Sequence, residues 1–112
     1  MWDSYKNGYK AWLQLEKSLS DNSVEAYLRD LDKLTGWLLS ANRLKEPDAI
    51  ELKDLQDFVK WLVEMGMVAA SQARIISGIK SFYRYCAMEK ISSKDPSTLL
   101  EAPKLKRALP DI

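Results

Sequence analysis

Apolar residues return at three- and four-residue steps along almost the whole chain, and that period admits helices and little else. Trp2, Tyr5, Tyr9, Trp12 and Leu13 carry it first and predict a helix over residues 3–17. Val24, Tyr27, Leu28, Leu31, Leu34 and Leu38 predict a second over 21–41. Leu52, Leu55, Phe58, Val59 and Leu62 predict a third over 53–65. Ile75, Ile76, Ile79, Phe82, Tyr83 and Cys86 share one side of a fourth, over 70–89. Only four glycines and four prolines punctuate 112 residues, too few for a turn-rich β fold. The chain therefore reads as all-α, and its length fits one domain with a real core.

The interruptions carry their own chemistry. Ser20 or Asp21 suits an N-cap, because a side-chain oxygen there can accept a free amide of the first turn. Asn42 and Gly66 tolerate the left-handed conformation that closes many helices. Pro47 blocks continuation through the Lys45–Asp48 connector. Asp95-Pro96 reads as N-cap and first residue of a short fifth helix, about 96–101, ended by Pro103. The tail carries Lys104, Lys106 and Arg107 between prolines 103 and 110 and resembles a linker. The expected division is a helical domain over 1–102 and a linker beginning at 103–112.

Several function classes fall away on composition. The chain has no histidine and one cysteine, Cys86, which leaves no His/Cys metal set, no intramolecular disulfide and no histidine-based nucleophile activation. No phosphate-cradling glycine loop is present. No apolar run is long enough to span a bilayer and the first residues have no signal-peptide pattern, so residence is expected in the cytoplasm. Neither a cofactor, a small-molecule substrate nor a membrane is expected as a partner.

Charge is informative only by position, since 17 basic and 16 acidic residues nearly cancel. From Met67 to Met88 there is no acid, while Arg74, Lys80 and Arg84 are present. Helical geometry sets Arg74, Ser77, Ser81 and Arg84 opposite the apolar side, with Lys80 at the edge. Arg74 and Arg84 are separated by roughly 15 Å along such a helix. Cations for phosphates, short hydroxyls for base edges and a small residue, Gly78, are what a groove-entering helix needs. A solvated face would look the same. The second helix offers Asn22, Ser23 and Arg29 away from its apolar stripe, with acids nearby; Asn22 and Ser23 also suit capping. Most aromatics and Cys86 read as core, whereas Trp2 and Trp12 are candidates for partner contact.

In this order and spacing, the segments resemble a known family. Residues 19–31, Leu-Ser-Asp-Asn-Ser-Val-Glu-Ala-Tyr-Leu-Arg-Asp-Leu, are similar to the S-x-N-[ST]-x-x-x-Y-x-x-D-L signature of the core-binding domain of tyrosine recombinases. Ser71 to Arg74 with Phe82 to Tyr85 resembles that domain's fourth helix, and Asp95-Pro96-Ser97 through Pro103-Lys104 its last helix and linker. The likeness is to Xer-type recombinases and phage or transposon integrases. It implies a four- to five-helix orthogonal, SAM-like bundle that clamps half of a double-stranded DNA site. It implies DNA contacts at Asn22, Ser23, Arg29, Arg74, Ser77, Lys80, Ser81 and Arg84, and phosphate contacts at Lys104 and Arg107. It also implies neighbouring protomers in a tetrameric synapse, with Trp12 suited to meet them, and a separate C-terminal domain holding all catalytic residues. The competing reading is a helical protein-interaction module without nucleic acid.

Overall fold

The computed structural model describes residues 2–15 and 18–101. Four α-helices carry the fold: α1 Asp3–Leu15, α2 Asp21–Ser40, α3 Leu52–Glu64 and α4 Ala69–Met88. A single 3₁₀ turn, Pro47–Ala49, lies between α2 and α3. There is no strand among the described residues. The bounds follow the apolar period closely, because each stripe ends where capping chemistry begins.

Ser20 caps α2 by accepting the Ser23 amide at 3.2 Å. At the other end Asn42 has φ 61°, and the Arg43 amide reaches back to the Leu38 carbonyl at 2.7 Å. Gly66 repeats this arrangement after α3, at φ 87°, with the Met67 amide on the Leu62 carbonyl at 3.1 Å. Lys90 closes α4 at φ 59°, with the Ile91 amide on the Cys86 carbonyl at 2.8 Å. These paired back-bonds satisfy carbonyls that helix ends otherwise leave open.

The expected fifth helix does not form. Residues 96–99 are turn, held by Thr98 and Leu100 amides on the Asp95 and Ser97 carbonyls at 3.3 and 3.0 Å. Asp95 does cap that turn, accepting the Ser97 amide at 2.9 Å. One turn fixes several dihedrals for few hydrogen bonds, so nucleation is not repaid over so short a stretch. Leu100, 1% exposed, is packed into the core instead.

α4 contacts each of the other three helices. Its Ile75, Ile79, Phe82 and Cys86 meet Leu34 and Leu38 of α2, Leu55 and Phe58 of α3, and Tyr9 and Leu13 of α1 in one buried cluster. Full burial of each such side chain contributes about 1.5–3 kcal/mol. The N-terminal aromatics belong to this core. Trp2 stacks on Phe82 at 5.2 Å between ring centroids and donates from Nε1 to the Lys45 carbonyl at 2.7 Å. Trp12 packs against Tyr9 and Tyr85 at 6.0 and 5.9 Å. With 2% and 7% exposure, Trp2 and Trp12 are core residues and not the outward partner contacts for which they were candidates. Trp2, just before α1, and Trp12 within it both turn inward, where α4 presents Phe82 and Tyr85 as aromatic partners.

Candidate nucleic-acid interface

Burying Ile75, Ile79 and Phe82 rotates α4 so that Ser77, Lys80 and Arg84 reach the surface. There they line a concavity of about 440 Å³ with Ser81, Tyr27 of α2, Leu13 of α1 and Leu19 of the α1–α2 loop. Lys80 and Arg84 are one helical turn apart, and neither has an acidic partner among the described residues. Ser77 is exposed, whereas Ser81 is 9% exposed and belongs to the floor. Ser81 is seven residues from Arg74, about 20° short of two full turns and so on the same face, yet it is buried where Tyr9 of α1 and Tyr27 of α2 approach α4. It was expected on the open face; only its groove-lining edge remains there.

Arg74 is placed differently from the other cations. Its Nε donates to Asp30 Oδ2 at 3.0 Å and its Nη2 to Asp30 Oδ1 at 2.9 Å. Asp30 is 2% exposed, while the Arg74 side chain is about half exposed, at 52%. The acid-free run of the sequence is therefore not acid-free in space: α2 supplies the carboxylate. Gly78 faces this pair, and a β-carbon there would make ordinary van der Waals contact with Tyr27 at 3.5 Å and Asp30 at 3.9 Å, so the approach does not itself require glycine.

Asn22 and Ser23 are exposed in the first turn of α2, and Ser23 Oγ is 3.2 Å from Ser20 Oγ within the cap. Arg29 is exposed two turns further on, on the Asn22 side of the helix. None of these three lines the concavity. Lys104 and Arg107 lie outside the described residues. Sequence reasoning missed two members. Tyr27 was read as core, yet it is half-buried with an edge in the groove. Asp30 was read only as a flanking acid; the signal was its place among Tyr27, Leu31 and Leu34, an acid on an apolar stripe.

Four of the five tyrosine phenols hold their protons more tightly than a free phenol does. Burial pushes the Tyr9 phenol up to about 12, despite a hydrogen bond with Ser81 that acts the other way. Burial raises Tyr83 further and Tyr85 in the same direction. The Tyr5 phenol is raised by its hydrogen bond to Glu46. Among the described residues no cluster of three or more metal-ligating side chains occurs, and no helix is long and apolar enough to cross a membrane.

Comparison with known proteins gives a consistent picture. Residues 7–90 match the family described as phage integrase, N-terminal SAM-like domain. The chain is 39% identical over 104 residues to tyrosine recombinase XerD of Staphylococcus epidermidis, covering 93% of this chain and 35% of that protein. It is 39% identical over 110 residues to tyrosine recombinase XerD of Staphylococcus saprophyticus, covering 98% and 37%. The same-named protein of Staphylococcus haemolyticus is 38% identical over 104 residues. The chain thus spans about a third of the length of these relatives. No solved structure gives a significant match.

Proposed function

The chain belongs to the phage integrase N-terminal SAM-like domain family, and from that premise we propose that it is a DNA-binding domain of a site-specific tyrosine recombinase. It holds one side of a recombination half-site in the duplex. Strand cleavage and rejoining, through a phosphotyrosine link, belong to a C-terminal catalytic domain of the full-length enzyme. This chain binds and does not cut. Its other partners are further protomers in a tetrameric synapse, and it acts in the cytoplasm.

The observation that carries this reading is the Lys80–Arg84 pair on the α4 groove, free of acidic partners among the described residues and beside Ser77 and Tyr27. Cations so placed neutralise phosphates, and adjacent hydroxyls suit sugar-phosphate or base edges. Asn22, Ser23 and Arg29 extend the contact along α2, and Lys104 and Arg107 follow the duplex backbone.

Duplex binding measured by fluorescence anisotropy across a salt series tests the proposal. Affinity should fall linearly in a log–log plot, with a slope of about −0.9 per phosphate neutralised. Joint substitution Lys80→Ala and Arg84→Ala should reduce that slope by about 1.8 and leave the helical circular dichroism unchanged. No duplex binding at low salt would overturn the proposal and favour a protein-interaction module.

A further inference from the structure

We propose that Asp30 makes Arg74 a base-reading residue rather than a phosphate-neutralising one; the inference rests on the DNA-binding reading above. A guanidinium has five N–H donors arranged in a rigid plane. Asp30 takes two of them, the Nε and one Nη2 hydrogen, along a single edge at 3.0 and 2.9 Å. The other edge, Nη1 with the second Nη2 hydrogen, has no partner among the described residues and belongs to a side chain that is 52% exposed. That remaining edge is the one that pairs end-on with the O6 and N7 of a guanine in the major groove.

Two features make the arrangement rigid. Asp30 is 2% exposed and sits against α4 beside Gly78, so the carboxylate cannot swing to solvent. The bidentate geometry fixes the guanidinium plane, which removes the rotamer freedom an unsupported arginine would lose on binding. Charge separates Arg74 from Lys80 and Arg84. With its carboxylate attached, the Arg74 site is neutral overall and releases few counterions when DNA arrives. It contributes orientation and sequence preference, whereas Lys80 and Arg84 contribute salt-dependent affinity.

Selection of preferred duplexes from a randomised pool, followed by salt-series binding on preferred and scrambled duplexes, tests the division of labour. Wild type should select a guanine at one position. Arg74→Lys keeps a cation beside Asp30, and it should reduce the preference at that position about tenfold while leaving the salt slope within about 0.3 of wild type. Asp30→Asn should bind scrambled duplex more tightly, with a steeper slope and a flatter preference. Arg84→Ala should lower the slope by about 1 and keep the preference. Thermal melting of each variant confirms that it is folded. If Arg74→Ala weakens every duplex equally and lowers the slope by about 1, Arg74 is a phosphate contact and the inference fails. If Arg74→Lys and Asp30→Asn, both folded, leave preference and slope unchanged, the pair is only an interhelical clasp and the inference also fails. If wild type binds no duplex, the DNA-binding reading itself fails, a result distinct from the other two.

Discussion

A methyl group added at Gly8 would stand 2.0 Å from the Tyr85 hydroxyl and 3.1 Å from the ring carbon that bears it. Tyr85 has little room to retreat, because its ring lies 5.8 Å from Tyr9, 5.9 Å from Trp12 and 6.1 Å from Phe82. Overpacking a site like this costs about 1–3 kcal/mol, against at most about 1 kcal/mol of helix propensity gained. Gly8→Ala should therefore lower stability by about 1–2 kcal/mol in urea unfolding. Adding Tyr85→Phe, which removes the clashing oxygen, should return part of that loss. Gly36 is the control: nothing lies within 4 Å of a β-carbon built there. Gly36→Ala should raise stability by about 0.5–1 kcal/mol, as for any open helix interior. Equal effects at the two glycines would contradict the packing of α1 on α4. In the sequence both look alike, single glycines inside apolar-periodic segments, because the period describes one helix and not its neighbour.

At the scale of elements, the helices were legible because burial repeats with the helical period, and Asn42 and Gly66 announced two of the left-handed endings. Lys90 did not, since lysine has no preference for positive φ. The hint was Ile91, whose packing against the core anchors the turn as a hydrophobic residue often does after such a cap. Lys90→Gly should relieve the strain of φ 59° and stabilise the chain by about 1 kcal/mol, read as a higher melting temperature. An unchanged or lower value would mean that the Lys90 backbone is not held in that conformation. The candidate site was legible in halves. The angular position of Ser77, Lys80 and Arg84 followed from their own helix. The Arg74–Asp30 pair did not, because it depends on how α2 and α4 are rotated against each other, and Ser81 was misplaced for the same reason. The failed fifth helix shows the limit of capping signals: Asp95-Pro96 opened a turn, but burial of Leu100 decided the path beyond it.

For the whole molecule, the buried acids that titrate at high pH set the limit of stability. Tyr9 and Cys86 are fully buried, and burial pushes each of them up to about 12. Tyr83 and Tyr85 are raised by the same cause. All four are neutral when protonated, so the folded chain holds these protons more tightly than the unfolded chain. Their contribution is complete below the unfolded values, 9.0 for the thiol and 10.0 for the phenols, and is lost as pH rises above them, for Cys86 and Tyr9 up to about 12. Each group costs up to about 1.4 kcal/mol per pH unit across its window, against about 5–15 kcal/mol for a domain of this kind. No histidine is present to add a side-chain titration near neutrality. The urea midpoint should therefore be level between about pH 7 and 9, then fall steeply and reach unfolding near pH 12. Cys86→Ala should move the onset of the fall upward, toward the phenol value of 10.0. A midpoint still level at pH 11 would show that α4 does not bury its phenols and thiol against α1. The packing that holds Lys80 and Arg84 outward would then have lost its foundation.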